Sequence, residues 1–137
     1  MGEATREPPG SDAVLALPAG PEAPALARRY LQEHARDLPS SVLDDALLLV
    51  SELVTNAVQH GRPKIVLRLR ESPPGIGVFV SDGGDGLPRF PPAEPDQHAV
   101  SGRGLRIVDA IASDWGVEHD GSRPGKVVWF ELRPDGG

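Results

Sequence analysis

Four segments of the chain carry residue types that could do chemistry: SELVTNAVQHG at 51–61, VSDGGDGLP at 80–88, SGRGLRIV at 101–108 and GKVVWFEL at 125–132. In the first, Glu52 and Asn56 stand four residues apart, so on a helix they project from one face about one turn apart and can address one object together. Asn56 is the only asparagine in the chain, and Asn is a poor former of helix interiors, so its place among strong helix formers suggests a local purpose. An isolated pair at this spacing is more often a solvated polar face. In the second segment, Asp82 follows the apolar run IGVFV and precedes Gly83, Gly84, Asp85 and Gly86, a composition that also suits an ordinary strand-ending turn. In the third, Gly102, Arg103, Gly104 and Leu105 precede a helical pattern, and backbone amides at such a helix start can hold phosphates. Two rival phosphate motifs fail: a dinucleotide fingerprint needs Gly where Ile107 stands, and GSRPGKV lacks both the Walker spacing and its Ser or Thr.

These segments need elements to position them. Val14, Leu15 and Leu17 suit a short first strand, and Pro and Gly between 18 and 24 break the chain before a helix over 25–38 with Leu26, Tyr30, Leu31 and Leu38 at helical spacing. Ser40 or Ser41 can cap the next helix, with Asp44 and Asp45 in its first turn and Gly61 ending it after His60. Its apolar stripe is Leu43, Ala46, Leu47, Val50, Val54, Ala57 and Val58, widened by Leu48 and Leu49. Two β-rich runs over 64–70 and 75–81, joined by ESPP, predict an antiparallel hairpin. Residues 87–101 hold four prolines and little periodicity, which predicts a long loop of the kind that serves as a lid. Helical periodicity returns over 105–115, and 127–132 reads as a last strand. The order is α+β, with residues 1–11 a disordered tail and 12–137 a single domain.

Composition removes several classes of function. At 137 residues the chain holds about one domain, and with 39% apolar, 25% charged and 4% aromatic residues its core must be built from Leu, Val, Ile and Ala. No cysteine is present, which removes disulfides, thiolate metal sites and thiol catalysis and fits a reducing cytosol. The longest apolar run, 46–50, is too short to span a bilayer, and the polar, proline-rich start does not resemble a secretion signal. A net charge of -6 with scattered Arg and Lys argues against a phosphate-tracking surface, so no direct nucleic-acid partner is expected. His34, His60, His98 and His119 show no metal-ligand spacing.

Taken together, an E-x3-N helix, a D-x-G-x-G turn and a G-x-G-L turn in this order resemble the GHKL ATPases, specifically the short bacterial serine/threonine kinases that act as anti-sigma factors. The resemblance runs from Val14 onward. It implies a Bergerat fold, a two-layer sandwich of a mixed, mostly antiparallel sheet with helices on one face, binding Mg-ATP. It makes the amide oxygen of Asn56 a Mg²⁺ ligand and Glu52 the base or orienting carboxylate for the attacking hydroxyl or water. It makes Asp82 the acceptor of the adenine amino group, with Gly84 and Gly86 letting the backbone approach the nucleotide and the amides of Gly102, Arg103, Gly104 and Leu105 on the phosphates. Guanine presents an acceptor where adenine presents a donor, so Asp82 should reject GTP. The implied partners are an anti-anti-sigma (STAS-domain) protein that is phosphorylated and a sigma factor, with a homodimer allowed and the cytoplasm as location. The competing readings are a switch that holds ATP and sequesters a partner without phosphorylating it, and a detached histidine-kinase catalytic domain, which is disfavoured because no phospho-acceptor helix is expected beside it. The chain departs from the family's G-x-T pattern at Gly125, Lys126 and Val127, where Val127 lacks the hydroxyl that supports the adenine-water network; weaker adenine affinity is the expectation.

Overall fold

The structure is a computed structural model that describes residues 12–83, 102–119 and 125–134, without the side chains of 102–105. The expected tail at 1–11 and the expected lid at 87–101 lie outside the described residues. Strand β1 (Asp12–Leu17) leads to helix α1 (Ala23–His34) and helix α2 (Ser40–His60), followed by strands β2 (Ile65–Ser72) and β3 (Gly75–Asp82). Helix α3 (Gly102–Ile111), strand β4 (Asp114–His119) and strand β5 (Lys126–Leu132) complete the order. The sheet runs β1-β2-β3-β5-β4, and each of its ladders is antiparallel.

One face of the sheet is apolar because its strands alternate. Ile65, Leu67 and Leu69 of β2, Ile76, Val78 and Val80 of β3, and Val128, Phe130 and Leu132 of β5 are all buried. Against them α2 lays Val42, Ala46, Leu49, Val50, Leu53, Val54 and Ala57, a stripe at helical spacing. Helix α1 adds Ala23, Ala27 and Leu31, and α3 adds Val108. Each large aliphatic buried here contributes roughly 1.5–3 kcal/mol by leaving water. The result is a two-layer α+β sandwich, as the sequence predicts. Leu48, expected in the stripe, is instead exposed, since it lies on the opposite side of the helix from Leu53 and Ala57.

Several boundaries differ for local reasons. Helix α1 begins two residues earlier than expected, because Pro24 fits the first helical turn, where a missing N–H costs nothing. The cap of α2 is Pro39, not Ser40 or Ser41: its extended backbone (φ -57°, ψ 148°) suits the cap, and its carbonyl accepts from Leu43 N at 3.0 Å. The helix thus starts earlier, and Asp44 and Asp45 fall beyond its first turn. The helical pattern expected over 105–115 stops at Ile111, and Trp115 belongs to β4. Ser113 N donates to Glu131 O at 2.8 Å and Trp115 Nε1 to Asp109 Oδ1 at 2.9 Å, which turns the chain back along β5. Among the described residues no helix is long and apolar enough to cross a membrane.

The other face of the sheet carries Arg68 and Arg70 above the Phe79 ring, at 4.9 and 5.8 Å from its centroid, and the Phe79–Trp129 pair. Both guanidiniums converge on Asp12, with Arg70 Nε donating to Asp12 Oδ1 at 2.9 Å and Arg68 Nε lying 3.3 Å from Oδ2. The hydrogen bond from Arg70, partly opposed by desolvation and aided by the two positive charges, holds the Asp12 carboxyl below its usual value of 3.8. A depressed folded pKa gives stability above the unfolded pKa, lost as pH falls through the folded one. Asp12→Ala should therefore lower stability by no more than about 1 kcal/mol at neutral pH, the scale of a screened surface pair. The gap from wild type should close as pH drops below 3.8. Urea melts at pH 7 and pH 3 check this; a gap that widens in acid would show that the pair does not anchor β1.

Candidate functional site

The buried series on β3, Ile76, Val78 and Val80, continues by alternation to Asp82, and the series on β5, Leu132, Phe130 and Val128, continues to Lys126. Register pairs Asp82 directly with Lys126, so the two side chains emerge on the helix-facing side at one end of the core. Lys126 Nζ donates to Asp82 Oδ2 at 2.9 Å, with the Asp82 side chain 5% exposed and that of Lys126 20%. A carboxylate this deep needs such a partner, because burying an unpaired charge is expensive.

Two glycines pack closely on Asp82, Gly61 against its carboxylate and Gly125 against its backbone. Gly61 closes α2 by donating to Ala57 O at 2.9 Å, but its backbone (φ -95°, ψ -167°) is not left-handed, so the expected glycine cap is not the reason for a glycine there. The reason is space: a Cβ at Gly61 would stand 2.8 Å from Ala57 O, from Asp82 Cγ and from Asp82 Oδ2. Gly125 has φ +105°, open to glycine, and a Cβ there would press on the Asp82 carbonyl oxygen. The strand end is tied by Gly83 N donating to Arg62 O at 2.9 Å.

Asn56, one turn before the end of α2, is 7% exposed, and its Nδ2 is buried without a protein partner. It lines a cavity together with Leu53, Ala57, Val80, Asp82, Lys126 and Val128. The volume is about 10 Å³, close to what one water needs. A buried amide and a buried carboxylate thus open on one small space floored by aliphatic side chains. Glu52 lies a turn earlier on α2, half-buried, and is not among the residues lining this cavity. A larger cleft, about 320 Å³, sits at the opposite end of β3 and includes Arg70, Phe79, Glu131 and Arg133. Its charged groups are already engaged, Arg70 with Asp12 and Arg133 with Glu131.

The structure therefore brings Asn56 and Asp82 to one cavity and adds Lys126, which does not stand out in the sequence. The signal for Lys126 was its place at the head of β5, but only the strand register pairs it with Asp82. Val127 pairs with Ser81 and by alternation faces away from the side of the sheet that carries Asp82 and Lys126. Gly102, Arg103, Gly104 and Leu105 do not precede α3 but form its first turn, whose amides lack partners within the helix. Nothing is described of their side chains, and Gly84 and Gly86 lie outside the described residues.

Comparison with known proteins bears on the same region. The family described as histidine kinase-like ATPase domain matches residues 17–132, a span that contains Asn56, Gly61, Asp82, Gly125 and Lys126. An uncharacterised protein of Streptomyces coelicolor is 40% identical over an alignment of 83 positions that covers 54% of this chain and 73% of that relative.

If Gly61 is there to admit the Asp82 carboxylate, Gly61→Ala should displace it and destabilise the fold by roughly 1–3 kcal/mol, the cost of overpacking a tight site. Gly61→Ser should cost at least as much. Thermal melts check this; an alanine variant as stable as wild type would mean that the carboxylate is not held against α2.

Proposed function

This chain belongs to the histidine kinase-like ATPase domain family, and on that premise we propose that it binds Mg-ATP and transfers the γ-phosphoryl group to a serine or threonine of a partner protein. ATP binding comes with the family. The observation that carries the site reading is the convergence of Asn56 Nδ2, buried and without a protein partner, with the Asp82 carboxylate on one cavity. In this reading Asp82 accepts from the adenine amino group and so favours ATP over GTP. The first-turn amides of α3 hold phosphate oxygens.

The donor set fits a hard cation. Asn56 lines the cavity, and its amide oxygen is a hard donor of the kind Mg²⁺ takes beside phosphates and water, while its unsatisfied Nδ2 donor suits a nucleotide acceptor and not the metal. Bound there, Mg²⁺ would neutralise phosphate charge. Glu52 sits one turn away on the same face of α2, where its carboxylate accepts the proton of the attacking hydroxyl. The hydroxyl oxygen then forms a bond to the γ-phosphorus as the bond to the bridging oxygen breaks, and ADP leaves with that electron pair. The partner is an anti-anti-sigma STAS-domain protein, and the unphosphorylated complex is exchanged for one with a sigma factor. The support for both partners is the resemblance of the E-x3-N, D-x-G-x-G and G-x-G-L segments. A homodimer is compatible with this role. The second reading, an ATP-dependent switch that sequesters a partner without phosphorylating it, draws on one observation: Glu52 does not line the cavity shared by Asn56 and Asp82.

Two substitutions separate the readings. Asn56→Ala should weaken Mg-ATP binding and phosphoryl transfer together. Glu52→Gln should leave binding within about twofold of wild type while cutting transfer by roughly 10²- to 10⁴-fold, the usual contribution of a positioned base. Labelled ATP, a STAS-domain partner and parallel calorimetry supply both readouts. Transfer at the wild-type rate by Glu52→Gln, or a partner bound tightly yet never labelled by wild type, would replace the kinase with the switch. For the base, Asp82→Ala should abolish the preference for ATP over GTP, and a preference that survives would move adenine elsewhere.

A further inference from the structure

The Asp82 acceptor that the proposed function assigns to adenine is already engaged from within the chain. Lys126 Nζ donates to Asp82 Oδ2 at 2.9 Å, and strand register, not a chance rotamer alone, sets the two residues opposite one another. The cavity beside them, at about 10 Å³, has room for a water and not for a heteroaromatic base. Val80, Val128, Leu53 and Ala57 wall the remaining sides with groups that have no freedom to retreat, being buried in the core cluster. Among the described lining residues the Lys126 side chain is the one with an exit: it is long, flexible and 20% exposed, so its head can leave for water while the strand stays in place.

We infer that Lys126 is an internal competitor for the nucleobase, its ammonium occupying Asp82 in the empty site and leaving when the adenine amino group takes the same oxygen. This rests on the proposed adenine role of Asp82. The exchange is close to even in kind, one N–H donor for another, but the outgoing donor is charged and the incoming one is neutral. A hydrogen bond to a charged partner is the stronger of the two. Binding therefore proceeds against the pair, and affinity is set below what the pocket would give with a neutral residue at 126. Base selection follows too, because a nucleobase that offers no donor at this position cannot replace the hydrogen bond that the ammonium gives up.

The chain has only two lysines, Lys64 and Lys126, so the position of the Lys126 head can be read directly. Wild type, Lys126→Ala and Lys126→Met are titrated with Mg-ADP and Mg-GDP, and wild-type lysines are pulse-labelled with an amine-acylating reagent with and without Mg-ADP. Both variants should bind ADP about tenfold more tightly than wild type, the ratio corresponding to one charge-assisted hydrogen bond no longer broken on binding. Without nucleotide both should melt below wild type, and ADP should raise their melting temperature by more than it raises that of wild type. Acylation of Lys126 should quicken when ADP binds, with Lys64 as the unchanged reference. ADP bound more weakly by both variants, or Lys126 protected by ADP, would overturn the inference and make the ammonium a contact of bound nucleotide, with the adenine site intact. ADP bound as well by Asp82→Ala as by wild type would instead overturn the adenine role of Asp82, and the competitor with it. No ADP binding by any form would overturn both.

Discussion

Strand alternation is the constraint on which the rest of the structure depends. On β3 the inward series runs Ile76, Val78, Val80 and then Asp82; on β5 it runs Leu132, Phe130, Val128 and then Lys126. Three apolar residues in each strand build the core, and the fourth carries charge, buried at Asp82 and partly exposed at Lys126. The site is consequently the last layer of the core rather than a feature added to its surface. A slip of one residue by either strand in the β3–β5 register would turn that strand's aliphatic series outward and carry its charged residue to the opposite face from its partner. The energy that fixes the register is therefore hydrophobic, while its product is a buried polar pair.

Helix α2 connects this layer to the rest of the chain. Its stripe from Val42 to Ala57 covers the sheet, and Asn56 is placed in that stripe, at a position that geometry would otherwise give to an aliphatic residue. The helix ends at Gly61 just where the Asp82 carboxylate needs space. Helix and strand thus approach so closely that no side chain fits between them at this point. The same closeness keeps the cavity small and dry-walled, with electrostatic interactions stronger than they would be in water. The outer face of the sheet follows different rules: Asp12, Arg68 and Arg70 form exposed pairs over Phe79, each of which is worth little against solvent and salt.

Most of this architecture was legible in the sequence because it depends on periodicity. The stripe of α2 and the β2–β3 hairpin are long and regular, and their residues alternate as the sheet requires. Boundaries were less legible, since Pro39 caps through its backbone and leaves no polar side chain as a marker. The expected helix overran the first two residues of strand β4 and the rest of that strand went unassigned, because it is a short edge strand that contains Gly116 and half-exposed residues. Its alternation is therefore faint, whereas Leu105, Ile107, Val108 and Ile111 continue a helical pattern up to it. Within the site, Asn56 and Asp82 stand out by residue type. Lys126 does not, because its meaning lies in a partner 44 residues away, and Val127 drew the attention that belonged to its neighbour. A pairing across strands is set by register, and register is a property of the folded sheet.

Asn56 and Asp82 present opposite energetic states in one cavity. The amide has a donor with no protein partner, a state that costs about 1–3 kcal/mol unless a water or ligand relieves it. The carboxylate is already satisfied by Lys126. A ligand entering this space gains at the amide and must first give up something at the carboxylate, so its affinity is a difference between two local terms rather than their sum. That arrangement lets the empty protein keep a charged, buried site without losing its fold, since the ion pair holds the end of β3 to the start of β5. It also means that occupancy and the β3–β5 junction are coupled: whatever takes the Asp82 oxygen releases the head of Lys126 at the first residue of β5, next to the left-handed turn at Gly125. The polar end of the core is thus the place where a binding event can be felt by the sheet.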